Sequence, residues 1–151
     1  MLRSLKKIGE ILIDKGLVRP EELDRALQEQ ARTKEFLGKI LIKRCYVKES
    51  DLLSALSEQF QIPILNLKEI KINWDFVKSF NLSLIFEFKC FPIQQDEWSV
   101  TIAITNPLDM WAIKKCEEEV RGLRLKLALV SMSDIAWVIE EYKKRIAWKT
   151  L

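Results

Sequence analysis

The chain has 151 residues, enough for one ordinary core or two small subdomains, with 48% apolar and 31% charged residues. A net charge of +3 with both signs interspersed excludes the strong basic footprint of a DNA- or RNA-binding protein. Histidine is absent, which removes His-activated serine or cysteine nucleophiles, imidazole zinc sites and histidine acid/base chemistry together. The opening MLRSLKKIGE lacks the apolar core of a signal peptide, and no apolar run approaches ~20 residues. Cys45, Cys90 and Cys116 form no CxxC pair, so thiols of a reducing cytoplasm, acting as small buried hydrophobes, are expected.

In chain order, Ile8, Ile11 and Leu12 recur at helical spacing and the run stops at Gly16, a helix C-terminal signal. Pro20 then opens a second helix, with Glu21 and Glu22 in its first turn, where acidic groups favour the helix dipole. Leu23, Leu27 and Gln30 follow at i, i+4 and i+7 on one face. Two further helices are predicted at roughly 37–44 and 49–60, the latter with Ser50 and Asp51 near its start. After Pro63 the period changes. A brief helix around 73–80 leads to a strand over 88–94, a turn at Asp96–Glu97 and a second strand over 98–104. A helix over 108–120 ends near Gly122, and Leu123, Leu125, Leu127 and Leu129 alternate with Arg124, Lys126 and Ala128 as a third strand. Ser131 or Ser133 caps a last helix running to about Arg145, whose Ile135, Val138 and Ile139 are expected to cover the leucine face. Trp98 and Trp137 sit in apolar periods and are assigned to the core; Trp148, in the tail, is expected to be exposed.

The first sixty residues state one pattern twice. Residues 7–30, KIGEILIDKGLVRPEELDRALQEQ, and 36–59, FLGKILIKRCYVKESDLLSALSEQ, align without a gap at an offset of 29. Gly9 falls on Gly38, Leu12 on Leu41, Val18 on Val47, Leu23 on Leu52, Leu27 on Leu56 and Gln30 on Gln59. Each copy is one supersecondary unit that buries its apolar face against a neighbour. The fold class is therefore α+β. A repeated subdomain of two helix hairpins over 1–62 packs with a small α+β subdomain over 63–151 of about three strands and two or three helices. The leucines are core residues of such hairpins, and the glycines serve helix ends and close packing.

The doubled pattern, with the five-residue spacer Ala31–Glu35, resembles the N-terminal domain of type II secretion and type IV pilus assembly ATPases. The segments FQIPILNL and AITNPLDMWAI and the final strand and helix ending in VIEEY extend the likeness over nearly the whole chain. Members with both copies in full bind cyclic di-GMP, and the resemblance places a ligand surface by position. It comprises Lys7, Ile8, Gly9, Leu12, Gly16, Leu23, Leu27 and Gln30 in the first copy, and Phe36, Leu37, Gly38, Leu41, Leu52, Leu56 and Gln59 in the second. Where the family opens each copy with a guanine-facing arginine, this chain has Lys7 and Phe36. Cys45 replaces the second glycine of copy two, at a turn that disfavours a Cβ. Weak or absent cyclic di-GMP binding is the expectation.

No GxxxxGK[ST] loop and no metal-spaced cluster occur, so no catalytic or metal site is assigned. The leading expectation is a cytoplasmic, non-catalytic docking or regulatory domain, peripheral to the inner membrane through its partners. It links an inner-membrane platform protein to an ATPase core present in cis or in trans, with Arg124 and Lys126 as docking residues and no DNA or RNA partner. The alternative is a cyclic di-GMP receptor, that nucleotide being the one ligand considered and no other cofactor being expected.

Overall fold

The computed structural model describes residues 7–149, the side chains of 148 and 149 excepted, so the expected exposure of Trp148 falls outside the described residues. Two compact units divide the chain between Gln59 and Phe60. In the first, α1 (Ile8–Asp14), α2 (Pro20–Thr33), α3 (Leu37–Lys43) and α4 (Glu49–Phe60) form two hairpins, with α2 against α3. The copies close their first helices with the same bonds. Gly16 N–H donates to Ile13 and Leu17 N–H to Leu12; 29 residues on, Cys45 N–H donates to Ile42 and Tyr46 N–H to Leu41. This C-terminal cap needs a left-handed residue, and both Gly16 (φ 69°) and Cys45 (φ 59°) take that conformation. Cys45 keeps the turn at a strain that glycine avoids, and it is exposed rather than buried, because the cap points it away from the hairpin.

The second unit runs through a 3₁₀ turn at Leu67–Glu69, α5 (Trp74–Val77), α6 (Leu82–Phe86), β1 (Phe91–Gln95), β2 (Ser99–Ile104), α7 (Met110–Glu119), β3 (Arg124–Leu129) and α8 (Met132–Lys149). Strand order is β1-β2-β3: β1 pairs antiparallel to β2 with a bulge between Pro92 and Gln94, and β3 pairs parallel to β2. A parallel neighbour requires a crossover, which α7 supplies. All four α-helices of this unit are capped by a side chain: Asn73, Asn81, Asp109 and Ser131 accept from Phe76, Ser83, Ala112 and Asp134 N–H groups. The five-residue α6 is absent from the sequence reading, because a helix of little more than one turn shows no periodicity.

Final helix and sheet meet differently from the expectation. Phe91, Ala103 and Ala128 share one row across the sheet. Phe91, Ala103 and Val130 cluster with Ile135, Val138, Ile139 and Tyr142 of α8. Thus α8 lies on the alanine face, where small side chains admit a helix carrying bulky ones. The leucines at 125, 127 and 129 pair with Val100, Ile102 and Ile104 on the opposite face. Aromatic rings complete this core: Trp74 stacks on Tyr142 at 6.0 Å, Phe86 stacks on Tyr142 at 5.8 Å, and the Arg145 guanidinium caps Trp74 at 4.2 Å. Neither Trp98 nor Trp137 belongs to it, being 77% and 37% exposed. Alternation puts Trp98 in phase with Val100, yet it stands before the first paired residue of β2, where nothing overlies it.

The equivalent turns predict opposite responses. Cys45→Gly raises stability by about 1 kcal/mol in urea denaturation, and Gly16→Ala lowers it by a similar amount, since nothing lies within 4 Å of a Cβ built at Gly16 and only the backbone pays.

Candidate functional site

Most of the repeat positions expected to meet a ligand are buried within their unit. Ile8, Gly9, Leu12, Leu23, Leu37, Gly38, Leu41, Leu52 and Leu56 are buried. A Cβ at Gly9 would lie 2.8 Å from Leu23 Cδ1, and one at Gly38 would lie 2.8 Å from Leu52 Cδ2, so each glycine lets the leucine of its own hairpin close down. The Phe36 ring also fills the space over Gly38, at 2.8 Å from that position. Gln30, half-buried, donates from its amide to the Glu35 carbonyl at 3.1 Å and so braces the spacer between copies; Gln59 is half-buried. What faces solvent is Lys7 and Gly16, together with Leu27, which at 43% exposure is not the core residue its spacing suggested. Lys7 and Phe36 occupy equivalent positions immediately before α1 and α3, and neither caps its helix through its side chain.

Two ion pairs bind the copies to each other, and they are the same pair exchanged. Lys15, after α1, meets Glu58 of α4; Arg44, after α3, grips Glu29 of α2 with two hydrogen bonds of 2.9 Å. Lys15 and Arg44 are equivalent in the repeat, as are Glu29 and Glu58. Such reciprocity marks a local pseudo-twofold relation, in which residue i of one copy meets j of the other and j meets i. Arg44 holds the Glu29 carboxyl below the ordinary carboxylate range.

In the second unit, Asp96 organises the β1–β2 turn. Its carboxylate accepts from the Trp98 and Ser99 N–H groups, each at 2.8 Å, and from the Ser99 hydroxyl at 3.0 Å. These bonds, that to Trp98 foremost, keep its carboxyl below its usual range. The Trp98 main chain is thereby fixed while its ring stays in solvent, and its carbonyl accepts from Arg124 N–H at 2.8 Å. Arg124 and Lys126 are exposed on the face that α8 covers farther along, correcting the expectation that the cations oppose the helix-covered face. The outer edge of β3 is met by the segment 63–65 at Leu129. Trp98 is thus exposed before β2 and meets Arg124 through the main chain, while alternation puts its ring on the face of Val100 and Leu125 and the two exposed cations on the other. The sequence reading named both cations but missed Trp98; its position just before β2 and opposite Arg124 was the available signal. Among the described residues, no group of three or more Cys, Asp or Glu side chains is placed to hold a metal ion.

Comparison with known proteins bears on this geometry. Residues 60–146, more than half of the chain, match the MshEN domain. The chain belongs to the MshEN domain family. A curated relative, the type IV pilus assembly ATPase PilB of Myxococcus xanthus, is 25% identical over 136 residues, covering 90% of this chain and 24% of its own length. PilB of Thermus thermophilus is 28% identical over 115 residues, covering 75% of this chain and 13% of its own length. This MshEN chain thus spans about a quarter or less of the relatives it matches. Among solved structures, MshE with cdg superposes with a TM-score of 0.79 at 22% identity, covering 91% of this chain and 99% of that one. The N-terminal domain of XpsE gives 0.73 at 23% identity, covering 93% and 96%. At such identity the likeness concerns the fold, an α+β domain with a three-stranded sheet in this MshEN chain.

The Glu29–Arg44 pair makes the stability of the first unit pH-dependent. Glu29 is more acidic folded than unfolded, so its contribution is present above the ordinary value of 4.5 and is lost as pH falls through the depressed folded value. Glu29→Gln should therefore destabilise the protein at neutral pH, and the gap from wild type should close on acidification, as measured by denaturant midpoints across pH.

Proposed function

We propose that this MshEN domain is a non-catalytic docking module of a type II secretion or type IV pilus assembly ATPase, joining the motor to its inner-membrane platform protein. The reading rests on two exposed features at one end of the sheet: Trp98, 77% exposed before β2 with its main chain held by Asp96, and Arg124 and Lys126 on β3. Tryptophan and arginine dominate interface energetics, and the turn that carries Trp98 is already ordered by Asp96. Unpaired strand edges add main-chain hydrogen bonds to a partner. The complementary surface carries carboxylates and a slot for an indole. No described helix is long and apolar enough to cross a membrane. In this proposal the domain lies on the cytoplasmic side, near the membrane through its partner. The names of the curated relatives agree with a place in a pilus motor.

The second reading, a cyclic di-GMP receptor, is favoured by one observation, the fold shared with MshE, whose structure is with cdg. Lys7 and Phe36 weigh against it. Lysine lacks the planar fork that grips a base edge, and Phe36 is packed over Gly38 and donates nothing. Hydrogen bonds to charged groups contribute roughly 1.5–3 kcal/mol each, so loss of two such contacts lowers affinity by orders of magnitude.

Two tests follow from these readings. Reversing charge at Arg124 and Lys126, or replacing Trp98→Ala, should weaken capture of the platform protein from a secretion- or pilus-competent lysate by about tenfold or more, with the fold retained. Unchanged capture, together with loss on deleting residues 1–60, would move docking to the repeats. Calorimetry with cyclic di-GMP should show no submicromolar binding to the unmodified chain. Lys7→Arg with Phe36→Arg, and Cys45→Gly where the turn needs it, should raise affinity; a folded variant without gain means the scaffold around these positions has diverged.

A further inference from the structure

The duplication supplies an internal control for the surface of the first unit. Residues that serve the architecture recur at the offset of 29: Gly9 and Gly38, Lys15 and Arg44, Glu29 and Glu58. Beside the Glu29–Arg44 pair, a cleft of about 430 Å³ is lined by Arg25, Gln28, Glu29, Arg32, Arg44 and Tyr46. At the positions equivalent to Arg25, Gln28 and Arg32 the second copy has Ser54, Ser57 and Gln61, and Leu17 stands for Tyr46 in the first. The repeat architecture accounts for Glu29 and Arg44. It leaves two arginines, an amide and a phenol without a structural reason.

Arg25 and Arg32 are exposed, and among the described residues neither forms an ion pair. Three guanidinium groups facing one carboxylate leave two positive charges uncompensated on one concave surface, an arrangement that repels itself until an anion enters. Guanidinium forks match phosphate oxygens in bidentate geometry, and Tyr46 offers an aromatic face and a hydroxyl to the remainder of a ligand. The volume falls within the range of small-molecule sites.

We infer that this cleft binds a phosphate-bearing small molecule of two negative charges, a phosphate monoester or a pyrophosphate. The site shares no residue with the Lys7 and Phe36 surface and does not depend on the docking reading. Arginine Nε–H resonances of the whole chain, followed by NMR during addition of pyrophosphate, AMP or acetate at matched ionic strength, provide the test. Pyrophosphate and AMP should shift the Arg25, Arg32 and Arg44 signals saturably while acetate does not. Arg25→Gln with Arg32→Gln should weaken pyrophosphate binding by about tenfold or more and leave the circular dichroism unchanged, since neither side chain supports the fold. Equal shifts with acetate, or pyrophosphate binding unchanged in the folded double variant, would overturn the assignment. So would sedimentation with phosphatidylglycerol vesicles that requires Arg25 and Arg32 in the absence of any effect of AMP, because the phosphate would then belong to a membrane surface.

Discussion

The reciprocal clasp between the two hairpins is the constraint on which the first unit depends. A single hairpin of seven- to fourteen-residue helices buries too little to stand alone, and isolated helices of that length are marginal in water. Duplication solves this by giving each hairpin a partner of the same shape. Glycine at 9 and at 38 lets leucine 23 and 52 seat against the first helix of each copy, and the exchanged pairs Lys15–Glu58 and Arg44–Glu29 join copy to copy. Burial provides the energy and the ion pairs provide the orientation; Glu29, almost enclosed and held bidentately, fixes geometry better than the more open Lys15–Glu58 pair. Once those positions are committed, few repeat residues remain to meet anything else, and function has to be sought where the copies differ.

In the second unit, the alanine row plays the corresponding part. Ala103 and Ala128 admit α8 close to the sheet, so Ile135, Val138, Ile139 and Tyr142 reach a core already shaped by Phe91 and Trp74. Because the helix occupies that face only toward the end of β3, the beginning of the strand, with Arg124 and Lys126, stays in solvent. The same packing that completes the core thereby leaves the surface proposed for docking.

The helix boundaries of the first unit were legible because Gly16 and Pro20 mark a helix end and a helix start in copy one, and the gapless alignment carries those boundaries to Cys45 and Glu49 in copy two. The third strand was legible because leucine alternates with Arg124, Lys126 and Ala128 over its whole length. The face taken by α8 was not, since alternation says that two faces differ without saying which one receives a helix; the alanines decided it. Apolar residues read as core failed at Trp98 and Leu27 for a shared reason. Each keeps the right phase yet stays exposed among the described residues, Trp98 before the paired strand and Leu27 on α2. Most site residues named from identities between the copies are buried, whereas Arg25, Arg32 and Tyr46 are visible only to a reading that asks where the copies disagree.

Native-state hydrogen exchange on the whole chain tests most directly whether the exchanged ion pairs make the two hairpins one body. Amides of α1 to α4 should share a common opening free energy, and Glu29→Gln should lower it for both hairpins together. Separate opening free energies for α1–α2 and α3–α4, with the Glu29 substitution felt in α2 alone, would contradict the account.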